Sequence, residues 1–520
     1  MYNRYRAIAA ILGISMTASV FCACNSGITS ADPTLPTTES LDTSMTTFET
    51  SESSSVPTEI TETTIDNRTY ETAPESTEIN TDFVQTMDGV TPEMMKADFW
   101  ISENDNRLLM TDEEIAAFNH ENRVHIKVND DIYMPYFDEF EDTFDGDILR
   151  EFLWANAASA PKDPSRYYLD GYRTSRVYWD NLIDLSNIDA VPDEIEVRYG
   201  FTVKRMTLRM YPTEDRVFDG PTDQLFDFNL YSECMPYMPC YILHESSDGE
   251  YYYVVFDSYA SWVRKDAVAL CSSKEDWLNR QNPEYWLTVT GREIRLGNDP
   301  YSEATSNLVL PMGTRMELVP DDDAPDVISE RASYGDYIVK VPTRGSDGYI
   351  NDEYVLIPVS DDVTFGYLPY TSENIVRQAM KLLGDRYGWG GDLQANDCTG
   401  ITREIYRCFG ILLPRVGQSG SKGVYKEDVT GMDEEDKLAI ISELSPGSLI
   451  SFPGHMMIYL GTVDGVPYVI SAVGTFLKPE DGSNEVLHPR SVVINSLYVR
   501  RANLTTWLDS VTTVLTIKPE

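Results

Sequence analysis

Hydrophobic and polar positions divide this chain into stretches of different character. Between residues 26 and 80 apolar residues are scattered singly among serine, threonine and acidic residues, and Arg68 is the only basic one. Such a stretch buries too little apolar surface to offset the entropy of ordering it, so residues 25–82 are expected to be a disordered tether. Extended it would reach roughly 180 Å, and as a coil about 40 Å. Helical periodicity follows. "TDEEIAAFNHENR" opens with Thr111 and has Glu114 three residues on, a capping-box pattern, and "DILREFLWANAA" (147–158) is a second amphipathic segment. These predict a helical region over 83–195.

From about 196 the pattern shortens to strands. "CYILHESSDGEYYYVVF" is two apolar runs around a Ser-Asp-Gly turn, a hairpin signal, and "SYASWVRKDAVAL" follows it. A second set appears in "YWLTVTGREIRLG", "GTRMELVPDD" and "YIVKVPTRGSDGYINDEYVLIP". Two small β-barrels are expected, over 196–272 and 273–360. The remainder, 361–520, reads as α+β. "SENIVRQAMKLLG" has Ser372 as an expected N-cap and Gly384 as a stop. After Cys398, apolar residues at 401, 405, 408, 409 and 412 mark one face of a helix that Gly410 is expected to end.

At 520 residues several domains are expected. The 41 basic and 85 acidic residues give a net charge of −44, which argues against nucleic acid as a partner and suits solubility. The N-terminus reads as an export signal, residues 1–24. Arg4 and Arg6 precede an apolar run over 7–21 that is short for a spanning helix, and the run ends in "FCAC". Ala23 before Cys24 resembles a bacterial lipobox, which implies cleavage before Cys24 and lipidation of its thiol; the alternative is ordinary secretion with cleavage elsewhere. Of the seven cysteines, none forms a CxxC pair or joins a cysteine/histidine cluster of zinc spacing. No metal or other cofactor is expected. An exported protein permits a bridge among Cys234, Cys240 and Cys271, but the spacing assigns none.

Chemistry concentrates in "NDCTGITREIY" (396–406). The free N–H groups and dipole of a helix start favour a cysteine thiolate, whereas Asp397 beside Cys398 opposes it. Cys408 lies on the apolar stripe and reads as a buried small hydrophobe. A cysteine nucleophile needs an imidazole from elsewhere in the chain, and two histidines follow. His455, in "GSLISFPGHMMIYLG", opens a strand after a Pro-Gly break, a place that faces a cleft. His488 precedes a proline in a loop. His120 and His125, five residues apart, do not share a helix face.

"RYGWGG", "DCTG", "LPR" and "PGHMMIYLG" occur in the order and spacing of NlpC/p60 cysteine peptidases, which this chain resembles over about 372–510. "SYASWV" and "DGYINDEYV" are similar to the closing strands of bacterial SH3-like domains. The resemblance implies a papain-like NlpC/p60 catalytic domain at 361–520 behind two SH3-like barrels and a helical N-terminal region. It implies a peptidoglycan hydrolase that cleaves stem peptides at the γ-D-glutamyl-diamino acid bond. Carried over, Cys398 is the nucleophile, His455 the general base, and backbone N–H groups at the helix start, including that of Cys398, receive the oxyanion. Tyr387 matches a site-lining tyrosine. Asp397 matches an acid that holds the free amine of the substrate's first alanine, with Tyr259 and Glu233 as candidates to share that task. Thr399 stands where serine is usual. The third catalytic position, usually His, Asn or Gln, is Ser471. A five-residue loop over 461–465 would set Ser471 opposite His455, whereas a tight turn at Asp464-Gly465 would turn it to the other face. The expected protein is a lipid-anchored monomer at the outer face of a bacterial cell membrane. Alternatives are a catalytically weak relative that binds the cell wall, and a papain-like transferase.

Overall fold

In the computed structural model, residues 84–518 are described apart from 163–164, 223, 416–424 and 480–483. The signal segment with Cys24, and the tether over 25–82, lie outside the described residues. From Thr86 onward the described residues belong to one unit of mutual contact.

The expected capping box is present. Thr111 caps the helix Asp112–Glu121, with Glu114 N–H donating to its hydroxyl at 3.3 Å and Thr111 N–H donating to the Glu114 carboxylate at 2.8 Å. Helices Gly146–Ser159 and Arg176–Leu185 follow. The region over 83–195 does not pack on itself alone. Trp100, Met110, Ile115 and Phe118 join the core of the C-terminal section, whereas Phe144, Leu149, Phe152 and Ile195 pack against the first sheet.

That first sheet has seven antiparallel strands, in the order Val268–Leu270, Arg198–Thr202, Pro239–Glu245, Tyr251–Val255, Ala260–Arg264, Met206–Arg209 and Leu230–Cys234. Its central hairpin is the one expected around the Ser-Asp-Gly turn, where Gly249 takes a φ of 75°. A five-stranded sheet follows, in the order Ile350–Pro358, Asp336–Arg344, Arg315–Leu318, Trp286–Val289 and Val363–Phe365. Its last strand falls beyond the expected limit at 360, because Val363 and Phe365 pair back with Val289 and Leu287.

In the C-terminal section the helix Ser372–Lys381 is capped by Thr371, not by Ser372: the Asn374 N–H donates to the Thr371 hydroxyl at 3.1 Å. The helix Cys398–Arg407 lies against it and against a six-stranded sheet ordered Tyr425–Asp428, Thr513–Thr516, Leu449–Phe452, His455–Val463, Val466–Val473 and Ser491–Ser496. Ile401, Ile405, Cys408 and Phe409 are buried against Ile458 and Ile470, as the stripe predicts. Each such aliphatic side chain contributes about 1.5–3 kcal/mol by leaving water. Leu412 is exposed instead, because the helix ends at Arg407 and its periodicity with it. The helix therefore rests on the sheet, with Cys398 as its first residue. Among the described residues no helix is long and apolar enough to cross a membrane.

Candidate active site

Two glycines shape the approach to Cys398. Gly390 and Gly391 take φ values of 61° and 92°, a region that costs other residues conformational energy. They let the "GWGG" loop lie directly on the strand Leu230–Cys234 of the first sheet, where a β-carbon on Gly391 would collide with the Glu233 carboxyl. The loop returns the Gly390 N–H to Asp397 Oδ2 at 3.0 Å. Asp397 is the N-cap of the Cys398 helix: its Oδ1 accepts from the Gly400 N–H at 2.8 Å and from the Thr399 hydroxyl at 3.0 Å.

The expected amine contact of Asp397 meets a competitor. Arg415, the arginine of "LPR", pairs with both carboxylate oxygens and also reaches the Thr399 hydroxyl. Its Nε donates to the Ser232 hydroxyl of the first sheet at 3.0 Å. Burial opposes the charge on Asp397, but the Arg415 guanidinium and the Gly400 and Gly390 N–H groups outweigh it and hold the carboxyl below its ordinary range. Asp397 is therefore an ion-paired cap whose acceptor positions are filled. Glu233 is ion-paired on one oxygen: Arg205 Nε donates to its Oε2 at 2.5 Å. Tyr259 packs against Tyr231, with ring centroids 6.3 Å apart. Burial pushes its hydroxyl up, Arg415 and Arg403 pull it back and Asp397 raises it, so the phenol lies within electrostatic range of the Asp397–Arg415 pair. Tyr387 is buried beside Phe226, with ring centroids 6.5 Å apart, and bridges by its backbone to Asn396.

His455 opens its strand directly after the turn at Pro453-Gly454, paired with Phe452. The backbone N–H of the next residue, Met456, acts on the Cys398 thiol and opposes the upward shift that burial imposes on it. His455 Nε2 lies 3.0 Å from Ser471 Oγ, and Ser471 is fully buried. Neither expected register accounts for this. The turn is the tight one, with Val463 opposite Val466, but a bulge between Tyr459 and Gly461 leaves Leu460 unpaired and shifts the register so that Ile458 faces Ile470. One extra residue reverses side-chain parity, which returns Ser471 to the face of His455.

The electrostatics describe a neutral resting pair. Cys398 is half-buried and hemmed by protein on its other sides; that desolvation, with Asp397 adjacent, pushes its thiol up to about 12 against smaller opposing effects of the Met456 N–H and Arg415. Burial lowers His455 to about 4, Asp397 pulls it up, and Arg501 lowers it further. Trp507 packs 4.7 Å from the imidazole. In the tautomer whose Nε2–H donates to Ser471, Nδ1 keeps a lone pair that can accept a proton.

Trp507 was not foreseeable, since it lies 52 positions after His455 with no motif around it. Arg415 had a signal in "LPR", but nothing in that motif names its partner. A cavity of about 440 Å³ lies elsewhere, lined by Leu270, Asp276, Arg280 and Tyr349 among others, and none of Cys398, His455 and Ser471 borders it. Among the described residues no group of three or more His, Cys, Asp and Glu side chains is placed to hold a metal ion.

Comparison with known proteins bears on the family and the fold. The NlpC/P60 family matches residues 384–515, and the SH3 domain of SH3b1 type matches residues 216–264. The chain is 28% identical over 118 residues to dipeptidyl-peptidase 6 of Lysinibacillus sphaericus, a match covering 22% of this chain and 39% of that protein. A solved structure of an NlpC/P60 endopeptidase from Photobacterium damselae subsp. piscicida superposes with a TM-score of 0.63 at 17% identity, over 82% of this chain and 97% of that one, which shows a shared fold. NlpC/P60 proteins are generally cysteine peptidases, and that family suggests the cell wall as the place of action. This chain carries an NlpC/P60-family domain at residues 384–515, preceded by an SH3 domain of the SH3b1 type at residues 216–264.

Proposed function

We propose that this protein is a cysteine endopeptidase of peptidoglycan that cleaves stem peptides at the γ-D-glutamyl-diamino acid bond. One observation carries the reading: His455 Nε2 is held 3.0 Å from Ser471 Oγ on the strand that packs against the helix opened by Cys398. In the proposed reaction the Cys398 thiol gives its proton to His455 Nδ1 as the sulfur attacks the γ-glutamyl carbonyl. The carbonyl oxygen takes the electron pair, stabilised by backbone N–H groups at the helix start. The C–N bond then breaks, the imidazolium proton goes to the leaving amine, and a thioester remains. Water, deprotonated by His455, attacks the thioester; the carboxylic acid leaves, and the thiolate recovers its proton.

Ser471 replaces a longer side chain of the third position and suits that role because its hydroxyl can accept an Nε2–H. Thr399 and Tyr387 are proposed to line the substrate channel, with Tyr259 at its far side near Asp397. Export through residues 1–24 and lipid attachment at Cys24 would set the enzyme at the outer face of the membrane, and the tether over 25–82 would let it reach the wall. The raised Cys398 thiol favours a second reading, a wall-binding relative with weak catalysis. The test is incubation of the protein with L-Ala-γ-D-Glu-diamino acid peptide. Release of the diamino acid, lost in Cys398→Ala, supports the peptidase; binding without turnover supports the second reading.

A further inference from the structure

We propose that Arg205, immediately before the strand Met206–Arg209 of the first sheet, is a positioning residue for Cys398, so that this part of the protein completes the active site as well as flanking it. The guanidinium forks between the two parts of the protein. On its own side, Nε donates to Glu233 at 2.5 Å. Across the junction, Nη2 donates to the Ala395 carbonyl at 2.9 Å and to Asn396 Oδ1 at 3.0 Å. Ala395 and Asn396 are the residues by which the chain enters Asp397 and Cys398.

The segment they form has few other supports. The Gly388 N–H donates to the Asn396 carbonyl at 3.0 Å, and Asn396 Nδ2 donates to Glu404 Oε2 at 2.8 Å, on the same helix as Cys398. The other Glu404 oxygen has no hydrogen-bond partner among the described residues, and its nearest cation is Arg205 Nη2 at 3.7 Å. The side chains of Arg205, Glu233 and Glu404 are only 8%, 10% and 3% exposed. One buried cation therefore answers two buried carboxylates and two acceptors on the approach to the nucleophile. Without it Glu233 and Glu404 would repel across the junction, and the entry to the Cys398 helix would lose its lateral hold. A nucleophile that shifts by about 1 Å loses much of its rate while the enzyme stays folded and binds substrate.

The proposal rests on Cys398 being the reactive thiol of the reading above, so its test includes an arm independent of hydrolysis. The full chain and its Arg205→Lys and Arg205→Met variants are compared in three measurements. These are thermal unfolding, kcat and KM on the stem peptide, and the pH dependence of Cys398 alkylation by iodoacetamide, followed by mass spectrometry. Lysine keeps a cation beside Glu233 but lacks the planar fork that reaches Glu233 and Asn396 together. The expected result for Arg205→Lys is an unfolding temperature close to the parent, kcat lowered about 10- to 100-fold with KM little changed, and a displaced alkylation profile. Parental kcat and alkylation in Arg205→Lys would overturn the proposal, as would a rate loss that only follows the loss of folded protein. If the parent hydrolyses nothing, the peptidase reading fails by itself, and the alkylation profiles still decide the role of Arg205.

Discussion

Ser471 and His455 share a face of their hairpin only because Leu460 bulges out between them. The tight turn at Asp464-Gly465 alone would send the Ser471 hydroxyl to the opposite face; the bulge restores parity and leaves Oγ 3.0 Å from Nε2. Bulges recur beside active sites because they re-aim a side chain without breaking the sheet. Deleting Leu460 is therefore expected to abolish hydrolysis, measured as release of the diamino acid, by turning Ser471 away from the imidazole.

Ser471→Ala tests the contact more gently. The serine is fully buried, so the change removes one oxygen and leaves the Nε2 side of the imidazole without its partner. One hydrogen bond of about 1.4 kcal/mol corresponds to about 10-fold in kcat. That loss is expected with KM nearly unchanged and with unfolding temperature close to the parent.

The pH profile follows from the resting charges. His455 must be neutral to act as a base, and burial has lowered it from 6.5 to about 4. kcat/KM is expected to rise through about pH 4 and to stay level through neutrality, since the thiol at about 12 sets no limit there. An acid limb near the ordinary histidine value would mean that the imidazole is better solvated than its packing against Trp507 and Phe452 implies.

Asp397 and Arg415 form a buried pair, and breaking it from one side strands a charge. Arg415→Met is expected to destabilise the fold by about 3–5 kcal/mol in chemical denaturation. The pair also has a pH signature. Asp397 is held below its ordinary 3.8 in the folded state, so its contribution is complete above that value and is lost as pH falls below it. Arg415→Met should flatten this acid-side loss of stability.

Much of this was legible in the chain. The stripe Ile401, Ile405, Cys408 predicted its helix because a 3.6-residue period is a local property, and the Thr111 box worked for the same reason. The motif spacing brought Cys398 and His455 to one domain. What escaped were facts of pairing between distant segments. A bulge at Leu460 has no residue signature that a strand pattern reveals. The partner of Asp397 is an arginine 18 residues on, and that of Glu233 is Arg205, and neither pairing is signalled by the motifs around the acids. The cap at Thr371 in place of Ser372 is a smaller case, since either hydroxyl could precede the helix and the backbone decides between them.

The most direct test of the central claim is mass spectrometry of L-Ala-γ-D-Glu-diamino acid peptide incubated with the full chain or with Cys398→Ala. The account predicts L-Ala-D-Glu and free diamino acid from the parent protein and intact peptide from the variant. Equal cleavage by both, or an intact peptide with the folded parent, would contradict it.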